Sequence, residues 1–354
     1  MRVVSVVGAR PQFVKLAPIA HACARAGIDH RIIHTGQHYD PLLSDVFFAD
    51  LAIPTPDAHL GVGSGSHGAQ TGAILAGLDE VLPSFAPDWV LAYGDTNSTL
   101  AAAVCAVKLH FPLAHLEAGL RSFNRMMPEE HNRVLTDHAA DLLLAPTEVA
   151  ARHLADEGLA ERTVVVGDVM TDVLYQVRAS VEGRPNPLAD VVPPGEPYSV
   201  ATIHRAENTD DRDRLAAILD SLGSVGHRVV ILSHPRLVAK CREYGWDISR
   251  GSLVAHPPLA YPDLVAAVMG SQYVITDSGG LQKEAFLMGV PCVTVRPETE
   301  WVETVELGWN TLVEPGELAA ATRRAQPAPV TATPYGDGHA ADRVIQALLD
   351  SSNG

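Results

Sequence analysis

Cysteine is scarce. The chain holds four in 354 residues, Cys23, Cys105, Cys241 and Cys292, widely spaced and with no CxxC pair. That excludes a disulfide framework and fits small buried side chains in a reducing compartment. Cations are scarce too. Lys and Arg total 26 against 42 Asp and Glu, a formal net charge of −16, which argues against nucleic acid or an anionic membrane as a partner. No apolar run approaches the roughly 18 residues of a membrane span. The opening MRVVSVVGARP reads as a buried strand entering a turn, without the apolar core and cleavage site of a secretory leader. A cytoplasmic location is the expectation. No GxGxxG turn follows the first strand, and no HExxH or Cys/His ligand spacing occurs among the 16 histidines. Neither a dinucleotide cofactor nor a metal is therefore expected.

What is present is alternation. Hydrophobic residues make up 47% of the chain, enough for two full cores at this length. Buried strands are predicted at 3–7, 30–34, 89–93, 112–116, 142–145 and 163–166, with helical stretches between them. The pattern restarts after residue 195, with strands at 198–203, 228–233, 253–256, 273–276 and 292–295. Short apolar strands alternating with helices imply parallel βαβ units covered on both faces. The segment EGRPNPLADVVPPGEP, 182–197, is rich in proline and glycine and reads as a linker. The expected fold class is α/β, with two doubly wound Rossmann-like domains. The boundaries are 1–180, a linker at 181–197, a second domain at 198–337, and a closing helix at 338–354. Such an arrangement predicts a site in the cleft between the domains, at the carboxyl ends of the strands.

The sharpest local signal is YVITDSGGLQKE, 273–284. A strand ends in Thr276-Asp277-Ser278, and Gly279 and Gly280 open a helix. That arrangement offers free backbone N–H groups and a positive dipole end to an anion, with no Cβ in the way. Ser278 suits a helix cap or a phosphate contact. In the first half, the turn GARPQFVK places Arg10 and Lys15 after the first strand. They are either solvated surface cations or substrate-binding cations, and a strand's C-terminal end in an acidic protein favours binding. Asp95 in GDTNSTL and Glu117 in HLEAGLR both follow buried strands, while Glu129 and Glu130 open a helix in MPEEHNR. Acids at a helix start are ordinary dipole chemistry. Two further acids at strand ends are not explained that way. Several partly desolvated carboxylates are what general acid/base work needs. His204, in TIHRAEN, ends another strand and is placed to donate to a phosphate or a leaving oxygen.

Eight segments together resemble a known family: GARPQFVKLAPI, TGQHYD, GDTNSTL, HLEAGLRS, MPEEHNR, VVGDVMTDVL, TIHRAEN and TDSGGLQKEA. In this order, from Met1 to about Val313, they are similar to the non-hydrolysing UDP-N-acetylglucosamine 2-epimerases. The resemblance implies a GT-B fold, a homodimer, and a last helix (Gly338–Leu349 here) that crosses back to the first domain. It implies a UDP-N-acetyl-sugar substrate and no cofactor. It also implies residue roles. Asp95, Glu117 and Glu129 would be the acid/base carboxylates, and His204 would assist the departing UDP. Arg10, Ser278, Gly279 and Gly280 would hold the diphosphate, Glu284 the ribose, Lys15 the sugar or phosphate, and Arg296 matches a recurrent arginine. Gln37, His38, Gln70 and Arg205 are candidates for a regulatory substrate molecule bound beside the active site.

Two departures bear on the sugar. Trp301 stands in TEWVE where the family's substrate-contacting arginine is usual, and Leu259 and Leu264 replace a glutamine and a phenylalanine near the uracil. TEWVE, HRAENTDD and SHGAQTG look more like the branch acting on UDP-2,3-diacetamido-glucuronic acid. The C3 and C6 substituents of the sugar thus stay open, as does the choice between cell-surface polysaccharide and natural-product pathways. A GT-B glycosyltransferase is the main rival, since it shares the Ser-Gly-Gly helix start.

Overall fold

The computed structural model describes residues 1–37 and 53–352. They form two compact units, Met1–Val173 with Thr333–Gly354, and Leu174–Ala332. Among the described residues, no helix is long and apolar enough to cross a membrane.

The first unit is built on seven parallel strands: β1 (Arg2–Val7), β2 (Asp29–His34), β3 (Ala58–His59), β4 (Trp89–Tyr93), β5 (Leu113–Leu116), β6 (Leu142–Ala145) and β7 (Thr163–Val165). Their spatial order is β3-β2-β1-β4-β5-β6-β7. The central strands WVLAY, LAHL and LLLA are buried at every residue. Helices cover both faces of the sheet, so polar alternation has no place there. Strand order reverses between β1 and β4, and the carboxyl ends of strands at such a switch point are where α/β sheets bind ligands.

The helix Arg10–Ala26 has proline in its first turn and closes on Gly27 at φ 67, the usual asymmetry of helix ends. The helix Asn97–Lys108 buries Ala101, Ala102, Ala103 and Ala106, small side chains that let it lie close to the sheet. The last helix, Ala340–Ser352, belongs to this unit. Its Val344, Ile345 and Leu348 share a core with Phe13, Leu16 and Ile19 of Arg10–Ala26. Asp172 accepts the backbone N–H groups of Ala340 and Ala341 at 3.0 and 2.8 Å, satisfying two orphan donors of that helix start.

The second unit carries six parallel strands: β8 (Tyr198–Thr202), β9 (Arg228–Leu232), β10 (Leu253–His256), β11 (Val274–Thr276), β12 (Cys292–Thr294) and β13 (Asn310–Leu312). Their order is β10-β9-β8-β11-β12-β13, with its switch point between β8 and β11. Residues 182–197 contain neither helix nor strand. Leu188 and Val192 nevertheless pack into a core with Tyr198 and Val200, so this stretch is anchored to the second unit. All four cysteines are buried free thiols.

Candidate active site

In the first unit the chain turns sharply out of β1. The carboxamide oxygen of Gln12 accepts the N–H groups of Gly8 and Ala9 at 2.8 and 3.0 Å, and its nitrogen donates to the Tyr93 carbonyl at 2.8 Å. That one side chain ties the first turn to the end of β4. A Cβ on Gly8 would run into the hydroxyls of Thr35 and Ser98.

Glu117, just beyond β5, has φ +73. This left-handed conformation is rare outside glycine and collects at functional sites. Its N–H and that of Ala118 both donate to the Leu144 carbonyl, at 3.1 and 3.2 Å, which helps hold the turn. The Glu117 carboxylate pairs with the Lys15 ammonium, and both side chains are 14% exposed. Gly94 lies against this pair: a Cβ there would sit 3.2 Å from Glu117 Oε2 and 3.4 Å from Lys15 Nζ. Burial pulls the Lys15 pKa down, but Glu117 foremost, then Asp95 and Asp168, hold it above the ordinary lysine value. A shallow cavity lined by Lys15, Glu117, Gly167 and Asp168 opens beside the pair.

Asp95 follows β4 and is met by the helix Pro128–Ala139. Arg133 donates to Asp95 Oδ2 at 2.5 Å and to Glu130 Oε2 at 2.8 Å. Asn132 donates to the Asp95 carbonyl at 2.9 Å. Glu130 is buried and accepts the N–H of Ser122 at 3.0 Å, the N–H of Phe123 at 2.9 Å and the Ser122 hydroxyl at 2.9 Å. Burial works to raise its pKa, yet these donors and the Arg133 charge bring it below the ordinary glutamate value. Glu129, one residue earlier and half-buried, has no hydrogen bond or ion pair among the described residues. The two adjacent acids therefore differ in kind. Glu130 is committed to structure and Glu129 is available.

Gln37 and Gln70 brace the loop behind Asp95. Gln37 Oε1 accepts Ser98 N–H at 2.9 Å and Ser98 Oγ–H at 2.6 Å, while Gln70 donates to the Gln37 and Gly63 carbonyls and accepts from Asn97. His38 and the side chain of Arg10 lie outside the described residues.

In the second unit, Ser278 caps the helix Gly279–Leu287 by accepting the Leu281 N–H. Asp277, fully buried, accepts backbone N–H groups of His204 and Arg205 and the Asn208 amide. Burial pushes its carboxyl up. The hydrogen bond and charge of His204, with the Arg205 N–H and Asn208, bring it below the usual aspartate value. The His204 ring, about one third exposed, lies 5.3 Å from the His234 ring, centroid to centroid. A Cβ on Gly279 would collide with the Glu300 carboxylate, whose other oxygen takes Arg296 Nη1 at 2.9 Å. Nothing crowds the Cβ position of Gly280. Glu284 accepts the Tyr261 hydroxyl at 2.9 Å. Arg205 is partly exposed, with Glu207 3.8 Å away. Trp301 is buried, and the Lys283 ammonium sits 4.2 Å from its ring centroid, a cation–π contact. Among the described residues, no group of three or more His, Cys, Asp or Glu side chains is arranged to hold a metal.

The family model described as UDP-N-acetylglucosamine 2-epimerase matches residues 21–349. The chain belongs to that family. A UDP-N-acetylglucosamine 2-epimerase homolog of Methanococcus maripaludis is 42% identical, over 98% of this chain and 99% of that one. The UDP-2,3-diacetamido-2,3-dideoxy-D-glucuronate 2-epimerase of Pseudomonas aeruginosa is 41% identical over the same shares. The crystal structure of the Methanocaldococcus jannaschii UDP-GlcNAc 2-epimerase in complex with UDP-GlcNAc and UDP superposes with a TM-score of 0.85 at 37% identity, covering 99% of this chain and 100% of that one. The two parallel-sheet units are therefore those of this GT-B-like epimerase family.

Several partners of this epimerase's candidate residues escape a reading of sequence alone. Arg133 stands three residues after Glu130, a helical spacing that signals the ion pair but not the reach to Asp95. Asp168 appears in the sequence only as one acid of VVGDVMTD, yet it lies among the charges around Lys15. Asp277 opens the Ser-Gly-Gly turn, and its tie to His204 spans 73 residues. His115 is buried at the end of β5, with Nδ1 2.6 Å from Asp137 Oδ1 and Nε2 2.7 Å from the Gly94 carbonyl.

Proposed function

We propose that this chain is a non-hydrolysing UDP-GlcNAc 2-epimerase that interconverts UDP-GlcNAc and UDP-ManNAc by elimination and re-addition of UDP. The observation that carries the reading is the set of acids in the first unit. Glu117 is paired with a lysine, Asp95 with an arginine, and Glu129 is unpaired, in a chain 37% identical to an enzyme crystallised with UDP-GlcNAc and UDP.

The C2–H of the sugar has no adjacent carbonyl to acidify it, so the C1–O bond must break first. UDP departs with the bonding electron pair, and positive charge develops at C1 and the ring oxygen. That charge makes the C2 proton removable by a carboxylate, giving a 2-acetamidoglucal and UDP. Return of a proton to the opposite face of C2, with attack of UDP on C1, gives the inverted sugar. Asp95, Glu117 and Glu129 are assigned the proton transfers. The helix start at Ser278–Gly280, Arg296 and His204 are assigned to the leaving diphosphate, where oriented N–H groups and cations stabilise developing negative charge. Arg10 joins them, Lys15 is assigned the sugar or phosphate side, and Glu284 the ribose hydroxyls. No redox partner is needed, because oxidation states balance. A homodimer and a cytoplasmic location, in polysaccharide or natural-product biosynthesis, complete the reading.

A second reading, epimerisation of UDP-2,3-diacetamido-glucuronic acid by the same route, is favoured by the 41% identical relative of that activity and by Trp301 in TEWVE. Proton NMR in heavy water, with UDP-GlcNAc as the only addition, tests both. Deuterium at C2 with growing UDP-ManNAc is the expected result. No exchange with UDP-GlcNAc but exchange with the diacetamido uronic acid nucleotide would select the second reading. Free N-acetylmannosamine would indicate a hydrolysing enzyme, and turnover only with an added acceptor a glycosyltransferase.

A further inference from the structure

We infer that Arg133, anchored by Glu130 and seconded by Asn132, is the positioning residue for Asp95 during epimerisation, a role that rests on the assignment of Asp95 to proton transfer. One turn of helix supplies all three groups. Arg133 takes one oxygen of the Asp95 carboxylate at 2.5 Å, and Asn132 holds the backbone carbonyl of the same residue at 2.9 Å. Asp95 is thus gripped at both its side chain and its main chain. Its Oδ1 has no partner among the described residues, and the side chain is 33% exposed. One oxygen is fixed and the other is left to accept a proton.

The guanidinium itself cannot drift with its partner. Its second arm is tied to Glu130 at 2.8 Å, and Glu130 is in turn held by Ser122 and Phe123. Phe123 sits at φ +59, so that turn carries backbone strain which the Glu130 contacts help to offset. The chain of contacts therefore runs from a strained turn, through two buried charges, to Asp95.

The cost of this arrangement argues against a purely stabilising purpose. Arg133 is 8% exposed, and its Nε–H is buried with no acceptor among the described residues. A buried donor without a protein acceptor is a cost that a purely stabilising contact has no reason to carry. The choice of cation also differs between the two ion-paired acids. Arginine keeps its proton at any working pH, so it remains a fixed charge against Asp95 Oδ2. Lysine, the partner of Glu117, is a single ammonium without arginine's planar fork. Glu117 and Lys15 are the other charges near Arg133 and Asp95, each acting across space without a direct contact to them.

The test is a double-mutant cycle on the intact enzyme, with kcat, KM, UDP affinity and Tm measured for Arg133→Met, Arg133→Lys, Asp95→Asn and the Arg133→Met/Asp95→Asn double variant. Arg133→Met should lower kcat by about 30- to 100-fold, the scale of a displaced acid/base group, with UDP affinity within about twofold. Arg133→Lys should recover part of the loss. The double variant should be no slower than Asp95→Asn alone, since Arg133 acts only through that carboxylate. Losses that multiply in the double variant, or an Arg133→Met enzyme as fast per folded site as the wild type, would overturn the role. If Arg133→Met does not fold, Glu130→Gln replaces it; a smaller kcat loss, again absent on the Asp95→Asn background, is expected, and a multiplicative loss counts against the role. A wild-type enzyme that turns over neither nucleotide sugar would overturn the proposed activity itself, which the variants then cannot rescue.

Discussion

His204 is bound to Asp277 by backbone and side chain together. The His204 N–H donates to Asp277 Oδ1 and Oδ2 at 3.1 and 3.0 Å, and the imidazole Nδ1 lies 3.1 Å from Oδ1. A carboxylate facing Nδ1 fixes the orientation of the ring and the tautomer with the proton there. Nε2 is the nitrogen left to meet a departing phosphate oxygen. Asp277→Asn should therefore keep the turn, because an amide oxygen still accepts the backbone N–H groups, but loosen the hold on the His204 ring. The expected result is a kcat loss of about tenfold or more with a Tm close to wild type. An unchanged kcat would separate Asp277 from the chemistry.

The two neighbouring acids of MPEEHNR should behave as opposites. Glu129 has no partner to lose, so Glu129→Gln should leave Tm within about 1 °C while lowering kcat by about 100-fold, the usual effect of removing a positioned acid or base. Glu130 accepts three hydrogen bonds from Ser122 and Phe123 and one from Arg133. Glu130→Ala leaves those donors and one arm of a buried guanidinium unpaired, which should destabilise by about 2–4 kcal/mol. Chemical denaturation and steady-state kinetics of the two variants check this together. A large stability loss in Glu129→Gln would reverse the assignment.

Gly94 and Gly279 should tolerate no side chain, for different reasons. Gly94 has φ +63, and a Cβ there would press on both members of the Glu117–Lys15 pair. Gly94→Ala should cost about 1–2 kcal/mol from backbone strain alone and lower kcat by displacing Glu117. Gly279 has no such φ. There a methyl group meets the Glu300 carboxylate at the helix start where the diphosphate is assigned. Gly279→Ala should raise the Kd for UDP at least tenfold by calorimetry, with Tm little changed. Wild-type affinity would remove Gly279 from the phosphate contact.

These contrasts also mark how far the sequence is readable. Strands Trp89–Tyr93 and Leu142–Ala145 are legible to the residue, because burial at every position demands an unbroken apolar run and the helix cap that follows within three residues ends it. Ala58–His59 and Asn310–Leu312 are not. They are two and three residues long at the outer edges of their sheets, too short for any period to show. In the site, the positions of Asp95 and Glu117 after apolar strands draw attention, but their partners do not. Which of Glu129 and Glu130 is engaged depends on a left-handed residue at Phe123 that offers its N–H to one of them. The bond between His204 and Asp277 exists because β8 and β11 are neighbours in the sheet, a consequence of crossover order that no local pattern encodes.

Acid should unfold this protein in two stages. Burial beside Ser5 lowers the His30 pKa from 6.5 to about 4, and burial also lowers His227 and His234. Each is neutral in the folded chain at pH values where the unfolded chain takes up a proton. The contribution of His30 is complete above pH 6.5 and declines as pH falls toward 4, by about 1.4 kcal/mol per pH unit, and His227 and His234 act in the same direction. The second stage belongs to carboxylates. Burial would raise Asp137, Asp277 and Glu130, but the charges of His115 and Arg121 on the first, of His204 on the second, and the donors and Arg133 on the third hold all three below their ordinary values. Stability from these groups is full above the usual carboxylate range and is lost as pH drops through their lower folded values. Asp172, pushed up by burial, opposes the trend over part of that range. Urea unfolding at pH 8, 6.5, 5 and 4 should show a gentle decline from pH 6.5 and a steeper one below about 4.5. His30→Gln should flatten the upper stage, since its side chain can still bond Ser5 without titrating. An unfolding free energy that stays constant between pH 6.5 and 5 in the wild type would mean that none of these histidines is held neutral in the folded chain.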